Sequence, residues 1–344
     1  MKIMTQCNFV KLNAKEWTFI EALEYSLSLK DISKITKLPY SVVYRIYQRL
    51  KSRASFYFMT DFKKMNLIPL YIFFNSDQKI NYVNSFTVSL RKVYGSKTYN
   101  VIYAMVPYVY YDEYIRSFSS EPVTIIKGLE TVKWRPSYGS CIYFPYKKVL
   151  LPVFNTWLNN IEELSRPVVD WPYSFDAPDP IDLAIILGKQ KHPYDSILSI
   201  IRRIRKYDSS FPILSKQTIS YHYRNHVLKY WLYNAVNLYL NSVCVPFRLF
   251  YFEGPEAHIV ARILVKFPSF YRALIDKEKA IVFGQPPGYV FENIYRIISM
   301  FDVEMPLGDL ILSLENMRRL IKPLWRFVEN KKWIWRDIKI KVKN

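Results

Sequence analysis

Leu67-Ile68-Pro69-Leu70-Tyr71-Ile72-Phe73-Phe74 is an unbroken apolar run with a proline near its start, the pattern of a buried strand. Val245-Pro246-Phe247-Arg248-Leu249-Phe250-Tyr251-Phe252 has the same look, and Pro246 stands 177 residues after Pro69. Each run leads into a helical pattern, Ile80 to Tyr94 in the first half and Pro255 to Phe267 in the second. A strand follows each: Tyr99 to Val106, ended by Pro107, and Lys279 to Phe283, ended by Pro286-Pro287. A second helix (Tyr110 to Phe118; Val290 to Phe301) and a last strand (Val123 to Trp134; Gly308 to Leu314) complete both halves. Strand, helix, strand or strand pair, helix, strand is the ferredoxin-like order, and its recurrence in register argues for an internal repeat.

What precedes each α/β unit repeats as well. Glu16 to Tyr25 and Leu29 to Lys37 read as short amphipathic helices, and a third runs from Tyr40 to about Arg53 after a break at Leu38-Pro39. In the second half the helices are Pro180 to Gly188, Tyr194 to Lys206, and one capped by Ser215 that runs to about Trp231. Three short helices of this kind make a helix-turn-helix layout. The expected architecture is α+β: two winged-helix/helix-turn-helix units, each followed by a ferredoxin-like (βαββαβ) domain, forming an internal pseudo-dimer. The expected boundaries are residues 1–60, 61–140, a Pro-punctuated connector over 141–178, 179–240, 241–330, and a basic tail over 331–344.

The chain of 344 residues carries a formal net charge of +20, and its location is informative. Residues 1–60 contribute +6, residues 182–232 another +6 and residues 317–344 +8, so the rest of the chain is balanced. Positive charge concentrated on the helical units is the footprint of a polyanionic partner. On the third helix of the first unit, Val43, Ile46, Tyr47 and Leu50 share a core face, leaving Ser41, Tyr44, Arg45 and Gln48 outside. Arg and Gln suit base edges, while Arg49, Lys51 and Arg53 near the helix end suit phosphates. In Leu214-Ser215-Lys216-Gln217-Thr218-Ile219-Ser220-Tyr221-His222-Tyr223-Arg224-Asn225-His226-Val227, residues Ile219, His222, Tyr223 and His226 face inward, and Lys216, Gln217, Ser220, Tyr221 and Arg224 face out. The outward residues are the second candidate DNA-reading set.

Helix-turn-helix, strand with a leading proline, then a βαββαβ unit resembles the Lrp/AsnC family of prokaryotic, especially archaeal, regulators. Ile32-Ser33-Lys34-Ile35-Thr36-Lys37-Leu38-Pro39-Tyr40-Ser41-Val42-Val43-Tyr44-Arg45-Ile46 is similar in spacing to that family's second helix, turn and third helix. Members are single units that dimerise through the α/β domain, where some bind amino acids; this chain departs from them in being duplicated. The resemblance implies a sequence-specific, double-stranded-DNA-binding transcription regulator that reads an asymmetric site with two unlike helices. It also leaves room for a small-molecule effector at the α/β domains and for a homodimer. An architectural, nucleoid-type DNA-binding protein is the first alternative. A replication or processing protein that docks through its helix-turn-helix units is the second.

Other chemistry finds little support. No GxGxxG or P-loop occurs, and with eight glycines in the whole chain a phosphate cradle is not expected. There is no G-x-S-x-G elbow, so no catalytic residue and no enzyme is expected. Cys7, Cys141 and Cys244 lie far apart and suggest neither a disulfide framework nor a zinc site, which fits a cytoplasmic, nucleoid-associated protein. His222 and His226 have a zinc-compatible i, i+4 spacing, but the sequence offers no third ligand, so packing or phosphate contact is expected and no metal or other cofactor. No apolar stretch is long enough to span a membrane. The alternating tail Lys331 to Lys343 reads first as a terminal strand whose lysines guard an edge.

Overall fold

A computed structural model describes residues 9–78, 80–314, 318–319, 323–336 and 338–342. After a short strand β1 (Val10–Lys11) come three helices, α1 (Ala14–Leu23), α2 (Leu29–Thr36) and α3 (Tyr40–Leu50). Their starts follow local chemistry. Asn13 and Glu16 form a reciprocal capping box on α1, and the Ser28 side chain accepts the Asp31 N–H at the start of α2. Phe19, Ile20, Leu23, Leu29, Ile32, Val43, Ile46, Tyr47 and Leu50 form the core of this unit, the inner face of α3 being the one expected.

Strand β2 (Ala54–Thr60) leads into β3 (Leu67–Asn75), β4 (Tyr82–Asn84), β5 (Thr87–Tyr94) and β6 (Thr98–Pro107). The expected helix over Ile80 to Tyr94 is therefore a pair of strands. Thr87, Val88 and Val93 are β-branched, and β5 pairs with β6 from Thr87 to Tyr94, so sheet pairing decides the segment. A short helix α4 (Tyr111–Arg116) and strands β7 (Thr124–Lys127) and β8 (Glu130–Val132) follow. In the connector, the hairpin β9 (Cys141–Phe144) and β10 (Val149–Pro152) pairs with β1, and α5 (Ile161–Leu164) supplies a single turn.

A second set of three helices comprises α6 (Pro180–Lys191), α7 (Ile197–Tyr207) and α8 (Lys216–Asn225), with Asp179, Ser196 and Ser215 capping their starts. α8 stops at Asn225, short of the expected Trp231, because residues 227–229 form a tight turn into β11 (Trp231–Leu238). Then come β12 (Arg248–Glu253), α9 (Ala257–Leu264), β13 (Phe270–Ile275), β14 (Lys279–Gly284), α10 (Phe291–Ile298) and β15 (Asp309–Leu312). The C-terminal part adds β16 (Arg318–Arg319), the hairpin β17 (Val328–Glu329) and β18 (Lys332–Trp333), and β19 (Lys339–Lys341), which pairs with β4. Cys244 is disulfide-bonded, although the wide spacing of the cysteines suggests no disulfide framework, and Cys141 is a free thiol.

One antiparallel sheet organises the molecule, with the path β7-β3-β6-β5-β15-β12-β14-β13-β8 and β16 beside β5. It folds over on itself. Tyr71, Phe73, Val93, Val101 and Ile126 of one part pack on Leu249, Tyr251, Leu274, Ile281 and Leu310 of the other. The two ends of the path meet because β7 and β8 are consecutive in the chain. At Gly128, between them, an added Cβ would come within 3.0 Å of the Pro69 carbonyl and 3.1 Å of Leu274. Outside this sandwich, α9 and α10 cover Phe250, Phe252 and Val282. Separately, β2 and β11 form a two-stranded antiparallel ribbon, Ala54 opposite Leu238. No described helix is long and apolar enough to cross a membrane.

Candidate functional site

Strand alternation gives the β2–β11 ribbon two faces. Phe56, Phe58, Val236 and Leu238 pack into helical cores, which turns Ser55, Tyr57, Tyr233 and Asn237 to the opposite side. That second face meets two cations, one buried and one half-buried. Lys133, one residue past β8, is 6% exposed and lays its ammonium 3.5 Å from the centre of the Tyr57 ring, with Asn237 Oδ1 at 3.4 Å. Asn237 in turn donates to the Tyr57 hydroxyl at 3.2 Å, and that hydroxyl lies 3.4 Å from the hydroxyl of Tyr239.

Arg272 is the second cation. It shares the inner side of β13 with Leu274, beside an irregularity in register between Phe270 and Arg272. Its guanidinium donates to the Tyr71 hydroxyl and lies 4.4 Å from the Tyr103 ring centre and 5.3 Å from that of Tyr71. The side chain sits deep in the molecule yet keeps some accessible surface.

Among the described residues no ion pair joins either cation to a carboxylate. Burial pushes the Lys133 ammonium well below its ordinary value, and the positive charge of Arg272 pushes it the same way. Burial raises the Tyr103 hydroxyl, against the pull of Arg272, so that phenol stays neutral. The Lys133 amine thus stands beside a permanent guanidinium across neutral rings, where its charged form costs free energy unless an anion joins it.

A cleft of about 590 Å³ lies against the same strand, lined by Thr131, Arg135, Tyr138, Arg166, Tyr233 and Lys266 among others. Tyr233 belongs to both places: its ring lines the cleft and stacks on Arg135, while its hydroxyl accepts the Lys133 backbone N–H at 3.3 Å. Glu130 in the cleft wall is already taken by Arg262, which also donates to the Leu164 carbonyl. Arg135 is paired with buried Glu24 at 3.2 Å.

The residues expected to read DNA lie elsewhere. Ser41, Tyr44, Arg45, Gln48, Arg49 and Lys51 are exposed along α3, and Lys216, Gln217, Tyr221 and Arg224 are exposed along α8, with Ser220 half-buried. Two of the phosphate candidates are engaged within the fold: Arg49 and Arg53 both pair with Glu16, at 2.8 and 2.6 Å, and Arg53 also donates to the Lys11 carbonyl. Among the described residues no hydrogen bond, ion pair or ring contact joins any of them to Lys133 or Arg272. Lys133, Arg272 and their tyrosines had no place in the sequence expectation. The available signal was a lone arginine within Phe270-Tyr271-Arg272-Ala273-Leu274-Ile275, a charge in an otherwise apolar strand.

No family model matches the chain, and no curated protein does. Two solved structures are similar in fold, both of the siroheme decarboxylase NirDL, the second in complex with an iron-uroporphyrin III analogue. Each is 9% identical, and each comparison covers 87% of this chain and 91% of the other, with TM-scores of 0.41 and 0.35. These findings overturn the expectation of an Lrp/AsnC-like transcription regulator without enzymatic activity, since the neighbours found are of an enzyme and nothing else found supports a regulator. At this distance they assign no reaction to the chain.

Proposed function

We propose that the protein binds a small carboxylate-bearing molecule in the space between the β2–β11 ribbon and the sandwich, with Lys133 and Arg272 as its counter-charges. The observation that carries this reading is that Lys133 and Arg272, both set against tyrosine rings, have no carboxylate partner among the described residues. An anion seated between them would relieve their repulsion, and guanidinium offers it a two-pronged contact. The tyrosine rings of Tyr57, Tyr71 and Tyr103 supply flat apolar walls, and their hydroxyls supply hydrogen bonds. The basic cleft beside Tyr233 is the approach from solvent. Because burial and Arg272 destabilise its ammonium, Lys133 surrenders a proton more readily than an ordinary lysine, which equips the site for acid–base chemistry on the bound anion.

We also read the chain as an internal pseudo-dimer, each half a winged three-helix unit followed by a ferredoxin-like domain. The antiparallel pairing of β2 with β11 supports this, and the ligand space then lies between the halves.

The test is thermal stability and calorimetric titration of the full chain with mono-, di- and polycarboxylates, a tetrapyrrole carboxylate among them, beside Lys133→Met and Arg272→Leu. The wild type is expected to be stabilised by at least one carboxylate class and the variants to lose that response. Without ligand, each variant is expected to be at least as stable as the wild type, because an uncompensated buried charge has gone. Wild-type protein indifferent to every carboxylate, or variants that respond equally, would sink the proposal.

A further inference from the structure

Outside that space the structure assembles Asp182, His222 and His226. Asp182 is the third residue of α6 and its side chain is 5% exposed; the two histidines stand one turn apart at the C-terminal end of α8. His222 Nδ1 lies 2.7 Å from Asp182 Oδ1, and His226 Nδ1 lies 3.1 Å from Asp182 Oδ2. The Asp179 carboxylate stands behind, 4.0 Å from His222 Nδ1. No arginine or lysine pairs with Asp182 among the described residues.

Position adds a second observation. Counted from the first residue of each helix, His222 and His226 of α8 stand where α3 has Ile46 and Leu50, both buried. Ile219 and Tyr223 likewise match Val43 and Tyr47. Two core positions that an apolar pair fills in the first unit are therefore given to imidazoles in the second, both turned to one carboxylate. Polar groups at core positions weaken packing unless something binds them.

We propose that Asp182, His222 and His226 form a divalent transition-metal site of the zinc class that ties the end of α8 to the start of α6. Two imidazole nitrogens and one carboxylate oxygen are a three-ligand zinc set, leaving a fourth place for water or a further ligand. The three ligand atoms lie within 4.8 Å of one another. A tetrahedral ion with bonds of about 2.0 Å holds its ligands about 3.3 Å apart. Rotation of His226, the most exposed of the three side chains, closes that gap and leaves the fourth position toward solvent. The sequence showed the histidine pair; the missing ligand stands 40 residues upstream of His222.

The experiment treats the full chain with chelator, then titrates Co2+ and records visible absorption, with Zn2+ as competitor. Expected are the bands of four-coordinate Co2+ saturating at one ion per chain and bleached by Zn2+. His222→Gln and His226→Gln, which keep a donor toward Asp182, are expected to lose the bands while retaining the helical circular dichroism. If either glutamine variant fails to fold, Asp182→Leu/His222→Ile/His226→Leu replaces it, since Ile and Leu copy the buried Ile46 and Leu50 at the two histidine positions and the leucine at 182 leaves no carboxylate without partners. A wild type that takes up no Co2+, or bands that persist in the folded variants, would overturn the site.

Discussion

The two three-helix units each bury a carboxylate on the third residue of their first helix, Glu16 on α1 and Asp182 on α6, and satisfy it differently. Burial pushes Glu16 up, but the Asn13 N–H and the guanidinium groups of Arg53 and Arg49 outweigh it and hold the carboxyl below its ordinary value. Burial also pushes Asp182 up, and there the His222 and His226 contacts do not outweigh it, so it ends raised. Permanent cations at the edge close the first unit, whereas the second keeps its polar groups inside. Lys189, at the place on α6 that Leu23 holds on α1, continues that pattern and donates to the Pro193 and Asp195 carbonyls. The first unit is thus built for permanent closure, and the second carries groups whose charge or ligation can change.

The largest effect is expected from breaking the closed unit. Arg49→Ala/Arg53→Ala leaves Glu16 buried without a counter-charge and should lower stability by about 4 kcal/mol in chemical denaturation. Removing either arginine alone should cost much less than half of this, because the other remains within reach of Glu16 Oε1. Two single losses that sum to the double would show that the pair does not act jointly on the carboxylate.

Next comes the pH response of Lys189. Burial lowers its ammonium to about 8 from 10.5, against a weaker opposite pull from Asp195. Below pH 8 both folded and unfolded chains hold the proton and the folded one bears the full penalty. Between about pH 8 and 10.5 only the unfolded chain holds it, so stability contributed at this position rises with pH. Relative to Lys189→Leu, the wild type should gain on the order of 3 kcal/mol across that window. Parallel curves for the two proteins would remove Lys189 from the contrast.

The third test removes the polar triad of the second unit and gives its two histidine positions the residues of the first. With metal absent, Asp182→Leu/His222→Ile/His226→Leu replaces a buried polar triad with apolar side chains and should raise stability by about 2 kcal/mol. A loss instead would mean that the triad is itself the better-packed arrangement.

The contrast also marks what the sequence could reveal. The inner face of α3, the cap at Ser215 and the inward turn of His222 and His226 were legible because helix periodicity and capping are local. Residues 80–94 were misread because pairing with β6, not local pattern, sets their conformation. Arg272 and Lys133 are 139 residues apart, and Asp182 is 40 from His222, so neither cluster follows a sequence period. The outward faces of α3 and α8 were legible as surfaces, but their chemistry alone suggested a DNA reader. Concentrated positive charge does not distinguish a surface that meets nucleic acid from one that closes its own fold, as Arg49 and Arg53 do through Glu16.

The smallest effect sharpens the comparison at the helix starts. Asn13 caps α1 reciprocally: its Oδ1 accepts the Glu16 N–H at 3.0 Å while Glu16 Oε2 accepts the Asn13 N–H at 2.8 Å. Asp179 caps α6 by accepting the Ile181 N–H at 2.8 Å, and Asp182, in the place of Glu16, is turned away to the histidines. Asn13→Ala should therefore cost about 1 kcal/mol or somewhat more, since it also loosens the carboxylate that Arg49 and Arg53 hold. Asp179→Ala should cost less, because it removes one bond and a negative charge at the helix start but leaves the triad intact. The order of the two losses is the reading. If Asp179→Ala proves the more damaging, its carboxylate, 4.0 Å from His222 Nδ1, supports the histidine cluster and not only the first turn of α6.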